Sequence, residues 1–186
     1  MVQLLSLETV ERLYAARGGL SYGENVTQTE HALQCAALAE AEGAAPSRVV
    51  AALLHDIGHL LEPDDAAAEQ GCDDQHEIVG AQALKGLFGE AVRGPIALHV
   101  RAKRYLCFRQ AAYFEALSPA SRRSLALQGG PFDAAQAAAF ERLPYWENAL
   151  VLRRLDDLGK SEEPSGRAFA DFKPLMRTVL IGPKRP

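Results

Sequence analysis

Val49-Val50-Ala51-Ala52-Leu53-Leu54-His55-Asp56-Ile57-Gly58-His59 decides how the rest of this 186-residue chain is read. An apolar run delivers a His-Asp pair, and a further His follows one turn later. On one continuous helix, His55 and His59 share a face, and Asp56 and His59 are neighbours at i, i+3. Burying three ionisable groups at the end of an apolar helix is costly unless something compensates for them. A metal ion is the obvious compensator, because neutral imidazole and carboxylate both suit iron, manganese or zinc.

The remaining His residues fall one to a helix. His31 lies in the first turn of a capped segment, His76 at the start of another, and His99 in a helix near Pro95. Asp156 closes the run Leu150-Val151-Leu152-Arg153-Arg154-Leu155. Taken singly, His31 and His76 read as ordinary surface or core histidines, and Asp156-Asp157 as solvated surface. Taken together, six imidazole and carboxylate donors from five helices suffice for two metals bridged by a carboxylate. Helical interiors are a known setting for di-iron and di-manganese sites of that kind.

The chain otherwise reads as mostly α. Alanine is abundant, β-branched runs are short, and Gly and Pro recur at helix-length intervals. The pattern predicts helices over 6–17, 27–42, 47–61, 75–88, 95–108, 111–117, 119–128, 133–142 and 145–159, with a short one over 173–180. Thr27…Glu30, Asp74…Glu77 and Asp133…Gln136 fit capping boxes, and Ser118-Pro119 supplies a cap followed by Pro at the first helical position. Pro95 is expected to begin its helix. Residues 62–74 and 161–167 read as loops, and no linker or repeat divides the chain. One domain over 1–186 is expected, with a core over about 20–160 and a tail over 161–186.

Composition narrows the function classes. A net charge of −4 argues against bulk nucleic-acid binding, which needs a broad excess of Lys and Arg. Cys35, Cys72 and Cys107 form neither a disulfide framework nor a CxxC metal pair. No apolar run approaches the roughly 20 residues of a membrane span, and the N-terminus lacks a signal-peptide core. A cytoplasmic protein without nucleic-acid or membrane partners is expected.

On these residues the chain resembles the HD-domain superfamily. His31, His55-Asp56, His76, His99 and Asp156 look like its ligand series, and His55-Asp56-Ile57-Gly58 looks like its signature. The resemblance implies an all-α HD-domain helical bundle around a two-metal site. Further segments narrow it: Gln28-Thr29-Glu30-His31-Ala32-Leu33-Gln34, His99-Val100-Arg101-Ala102-Lys103-Arg104-Tyr105-Leu106, Leu127-Gln128-Gly129-Gly130-Pro131 and Leu152-Arg153-Arg154-Leu155-Asp156-Asp157. These look like the branch of mixed-valent di-iron oxygenases that degrade organophosphonates.

That resemblance implies two iron ions, Fe(II) and Fe(III), held by His31, His55, Asp56, His76, His99 and Asp156, with O2 as co-substrate. The implied substrate is a small 1-hydroxy-2-(amino or trimethylammonio)ethylphosphonate-type molecule. Oxygenation at C1 breaks its C–P bond and yields inorganic phosphate and a carboxylic acid such as glycine. By the same resemblance His59 and Lys103 are the catalytic residues, and both contact the phosphonate with Ser121, Ser124, Gln128 and Arg153. Lys103 lies one helical turn after His99, so a ligand and an ammonium face one pocket. Tyr22 is expected to cover the iron until substrate arrives, and Glu24 to meet the substrate ammonium. Ser21 stands where the branch pattern has its tyrosine, one residue before Tyr22. The competing reading is a metal-dependent HD phosphohydrolase acting on a small phosphate ester or nucleotide. The same ligands serve either chemistry, and the Lys103 and Gln128 segments favour the oxygenase by resemblance.

Overall fold

A computed structural model of the chain describes residues 5–21, 26–61 and 73–181. Tyr22, Glu24 and Cys72 lie outside the described residues. The elements in order are α1 (Leu7–Arg17), α2 (Gln28–Ala41), α3 (Pro46–Leu54), α4 (Ile57–Leu61), α5 (His76–Ala83), α6 (Glu90–Arg109), α7 (Ala111–Ala116), α8 (Pro119–Leu127), α9 (Ala134–Phe140), α10 (Trp146–Leu158) and α11 (Lys173–Thr178). Short 3-10 turns cover Leu84–Gly86 and Phe169–Phe172. Extended pairing among the described residues is confined to two isolated bridges, Ser21 with Thr27 and Phe88 with Leu180. The described residues form an all-α bundle.

The 20-residue α6 is the axis of the fold: α10 runs along it, and α5 and α3 pack against it, while α2 covers α3. The main core joins Val49 through Leu54 with Leu33, Ala36, Leu60, Leu84, Ile96, Leu152 and Leu155. A second cluster, Tyr105, Phe132, Phe140 and Ala149, fills the space between α6, α9 and α10. The C-terminal segment is part of this packing. Phe172 and Met176 are buried in the main core, and Gln34 on α2 bonds the backbone of Ser161 and Glu163.

The expected helix over 47–61 is broken at His55-Asp56, between α3 and α4. Side chains take the carbonyls there. His55 Nδ1 lies 2.8 Å from the carbonyl of Ala52, and the Tyr14 hydroxyl donates to that of Leu53 at 2.8 Å. His59 consequently leaves the face of His55. Pro95 also differs from expectation, because α6 begins at Glu90 behind an extended Gly89 cap and carries Pro95 inside it. The amides of Val92 and Arg93 bond the Gly89 carbonyl, so the first turn is set before Pro95 is reached.

Caps explain most boundaries. Ser118 Oγ accepts from the amide of Ser121, and Asp133 with Gln136 closes a complete capping box. At α2 only half the box forms: Thr27 accepts from the Glu30 amide at 3.1 Å, whereas the Glu30 carboxylate goes to Gln34 and the amide of Ser165. At α5 the expected Asp74 box is absent. Gln75 is the cap residue, in the left-handed region at φ 49, its own side chain makes no cap bond, and Asp74 Oδ1 accepts from the His76 amide at 3.3 Å.

Gly58 fixes how closely α4 meets α5, since a Cβ there would lie 2.0 Å from the His76 carbonyl oxygen. Gly58→Ala must therefore push apart the segments carrying Asp56 and His76. We expect a loss of roughly 1–3 kcal/mol, typical of overpacking, measured as a lowered urea midpoint.

Candidate metal centre

Each candidate ligand is placed by a different element. His31 comes from the first turn of α2, His55 caps α3, Asp56 lies in the break, His76 opens α5, His99 sits mid-way along α6, and Asp156 is near the end of α10. All six are buried, none more than 7% exposed. Their geometry centres on Asp56. Its Oδ2 lies 3.2 Å from His55 Nε2 and 3.6 Å from His31 Nε2, and its Oδ1 lies 3.5 Å from both His76 Nε2 and His99 Nε2. Asp156 Oδ1 stands 3.5 Å from His31 Nε2. Two donor clusters therefore share one carboxylate.

The outer nitrogens are already committed. His31 Nδ1 faces the Gly159 carbonyl at 2.6 Å, His55 Nδ1 that of Ala52 at 2.8 Å, and His99 Nδ1 that of Ile96 at 2.8 Å. His76 Nδ1 meets Asp74 Oδ1 at 2.8 Å. A carbonyl or carboxylate can only accept, so each Nδ1 carries a proton and each Nε2 faces inward, where it offers a lone pair once a metal takes the place of any second proton. Two pairs of these lone-pair nitrogens, His31 with His55 and His76 with His99, stand 3.2 Å apart. Asp56 Oδ1 is buried without a hydrogen-bond partner. Facing lone pairs beside an unpaired carboxylate oxygen repel one another in an apolar interior, and a cation removes that repulsion. The donors fit metal ions.

Electrostatics follow from this crowding. Burial pushes His31 below its ordinary pKa, helped by His55, and burial carries His99 down to about 3. Both stay neutral, the form a metal requires. At His55 and His76 burial is outweighed, by Asp56 at the first and by the Asp74 bond and Asp56 at the second. This raises His55 and carries His76 up to about 9, so metal binding there displaces a proton. Burial also opposes charge on Asp56 and Asp156, yet His55 outweighs it at Asp56 and Arg153 outweighs it at Asp156, so both carboxylates stay ionised. Arg153 Nη1 donates to Asp156 Oδ2 at 2.6 Å, while its Nε meets the Tyr113 hydroxyl at 2.9 Å and its Nη2 meets Asp157.

The expected anion contacts divide into three groups. Lys103 is 3% exposed and donates to Ser124 Oγ at 2.9 Å, and Ser124 in turn donates to the Ser121 carbonyl. Burial, reinforced by Arg153, lowers the Lys103 pKa to about 8. Gln128 caps α8 with its Oε1 buried and without a hydrogen-bond partner. Arg153 stands behind Asp156 with carboxylate partners on both sides. His59, with its side chain 27% exposed, lies 2.9 Å from Asp74 Oδ2 and stacks on His76 at 3.9 Å between ring centroids.

Three residues went unnoticed in the sequence. Lys160 lies 3.3 Å from Ser121 Oγ and 4.0 Å from Asp156 Oδ1, and Tyr113 bridges Arg153 and Asp157. Asp74, a cap in the sequence pattern, takes the His76 amide and also contacts two imidazoles. The i, i+4 spacing of Asp156 and Lys160 was the one readable signal for any of them. Ser121 and Lys160 line a cavity of about 320 Å³ with Tyr113, Leu117, Ser118 and Asp157. Tyr105 packs on Phe140 and Trp146 and bonds Glu141, and Phe108 is exposed. Arg104 bonds the carbonyls of Gly129 and Gly130.

An HD-domain model matches residues 29–127, the span from α2 to the end of α8. With this helical bundle and its converging His and Asp donors, the chain belongs to the HD-domain family. It is 53% identical to the hydroxymethylphosphonate dioxygenase of Gimesia maris over 141 residues, 75% of this chain and 70% of that protein. It is 38% identical to the glycine-betaine-forming [1-hydroxy-2-(trimethylamino)ethyl]phosphonate dioxygenase of Leisingera caerulea over 176 residues, 94% of this chain and 90% of that one. An uncharacterized protein, L432, of Acanthamoeba polyphaga mimivirus is 35% identical over 180 residues, 94% of this chain and 82% of that one. Within the family the chain belongs to the phosphonate-dioxygenase branch. No helix among the described residues is long and apolar enough to cross a membrane.

Two outcomes follow from the geometry. Asp56→Ala removes the shared carboxylate, and His99→Ala removes one donor of the second cluster, so each should lower bound metal in elemental analysis of the purified protein. Lys103 is an ammonium below about pH 8 and a neutral amine above it. Affinity for a small phosphonate should therefore weaken as the pH rises through 8, read as a rising KM, and Lys103→Arg should flatten that rise.

Proposed function

We propose that this chain is an O2-dependent di-iron oxygenase that cleaves the C–P bond of a small hydroxyphosphonate and releases inorganic phosphate. One observation carries the reading: two lone-pair clusters share Asp56, and a buried ammonium, Lys103, stands one turn from His99. In this reading His31, His55, Asp56 and Asp156 hold one iron, and Asp56, His76 and His99 hold the other. Such a pair would supply one-electron redox chemistry for dioxygen activation, with the electrons that reduce O2 coming from the substrate.

The chain's own residues do the rest. A phosphonate is dianionic or nearly so, and it needs fixed donors where water is excluded. Lys103 supplies the principal positive charge, and the hydroxyls of Ser121 and Ser124 and the Gln128 amide complete the anion's partners. Arg153 acts from behind, holding Asp156 in its ligating orientation. His59, the partly exposed imidazole over His76, meets the phosphonate and handles a proton. The cavity bordered by Ser121 and Lys160 admits a small anion from solvent.

In the terms of the sequence reading, Tyr22 covers the iron before substrate arrives and Glu24 receives a substrate amine. The relatives differ at that end: one is named for a hydroxymethyl compound, the other for a trimethylamino compound. A positively charged substituent selects for Glu24, and a bare hydroxymethyl group makes no use of it. We further propose that residues 1–186 act as one catalytic unit. The phosphohydrolase reading is the weaker one, because the relatives at 53% and 38% identity are dioxygenases by name.

The deciding experiment loads the protein anaerobically with Fe(II) and follows phosphate release from hydroxymethylphosphonate and from [1-hydroxy-2-(trimethylamino)ethyl]phosphonate. Phosphate should appear only after oxygen is admitted. Equal release without oxygen would overturn the oxygenase assignment in favour of hydrolysis. Preference between the two substrates reports whether Glu24 is used.

A further inference from the structure

Asp74 looks like a helix cap in the sequence, and its Oδ1 does accept from the His76 amide at 3.3 Å, but the carboxylate also reaches two side chains. Gln75 adopts φ 49, a left-handed conformation uncommon for a residue with a side chain. That turn folds Asp74 back over the first residue of α5. Asp74 Oδ1 then lies 2.8 Å from His76 Nδ1, and Oδ2 lies 2.9 Å from His59 Nδ1. The two rings stack with centroids 3.9 Å apart and planes 22° from parallel.

One carboxylate thus accepts an N–H from each of two stacked imidazoles. It fixes both tautomers at once, because an Nδ1 that donates leaves Nε2 as the working nitrogen. For His76 that nitrogen faces Asp56 and His99. The trio His59, Asp74 and His76 also has the composition of a metal site. His76 Nε2 is turned to Asp56 and His99, however, and the 2.8 and 2.9 Å separations match hydrogen bonds donated by each Nδ1–H to Asp74.

We propose that Asp74 is a shared positioning residue that couples the metal ligand His76 to the substrate-facing His59. The assignment rests on the roles given to those two histidines under Proposed function. Without the carboxylate, each ring is free to turn about its Cβ–Cγ bond and offer the wrong nitrogen. Outer partners of ligating histidines commonly contribute 10–100-fold to metal affinity or activity. Here one such partner serves two rings, so its removal should affect metal binding and turnover together.

The test uses the full chain with Fe(II) as the probe, in anaerobic competition with a chelator, alongside oxygen-dependent phosphate release. Asp74→Asn, which keeps one acceptor oxygen and turns an amide on the other ring, should weaken the less tightly held iron by roughly 10–100-fold. His59→Ala should leave Fe(II) affinity at the wild-type value and lower kcat. With iron saturating, the double variant should be no slower than the slower single variant, because Asp74 acts on turnover through His59. The proposal is overturned by wild-type iron affinity in Asp74→Asn, by loss of iron in His59→Ala, or by rate losses that multiply. Should Asn at position 74 prevent folding, Asp74→Ser is read in the same way. Oxygen-independent phosphate release by the wild type refutes the oxygenase reading alone, and the iron-affinity comparison still judges Asp74.

Discussion

The fold is organised around a carboxylate that sits where a carboxylate should be hardest to keep. Asp56 is 6% exposed and ringed by four imidazoles whose outer nitrogens are each fixed by an acceptor. Those acceptors come from the C-terminal end of α10, from α3, from α6 and from the turn before α5. Moving any of these elements would swing an imidazole away from the centre. The helices therefore have to meet at fixed distances, and the close approach at Gly58 shows how little slack remains. Burying so much polar surface is tolerable because every nitrogen that faces outward has a partner, and every lone pair that faces inward shares one destination.

Much of this was legible in the primary structure. The apolar run before His55, the His residues spaced one to a helix and the caps at Thr27, Ser118 and Asp133 all carry local physics, so the helical class and most boundaries could be read. The failures share a cause. The break at His55-Asp56 arises because side chains from α1 and from His55 itself take the last carbonyls of α3, a tertiary competition without a local signature. Asp74 keeps the His76 amide but turns its carboxylate to two rings that only the fold brings near. Pro95 is tolerated inside α6 because Gly89 has already set the first turn.

Around the centre, charges are arranged in depth. Arg153 neutralises Asp156 and Asp157 from one side, and Tyr113 ties the trio to α7. Lys103 lies in a drier position, joined to α8 through Ser124. A net charge of −4 is compatible with this arrangement, since the cations that matter are sequestered and contribute nothing to a basic surface. Neither Cys35 nor Cys107 is in a disulfide. Burial raises the pKa of both thiols, most strongly at Cys35, which donates to the Leu155 carbonyl beside His31. A protonated thiol is a poor nucleophile and a poor ligand, so Cys35 can border the centre without competing for it.

The bond from His31 to the carbonyl of Gly159 spans 128 positions. A ribosome making this chain from its N-terminus produces His31 early and the acceptor that orients it late. Gln34, one turn on from His31, likewise waits for the backbone of Ser161 and Glu163. The first donor to be synthesised is therefore among the last to be fixed. A nascent chain stalled before Gly159 has its imidazoles but lacks the frame that aims them, so the centre matures only after Gly159 has been added.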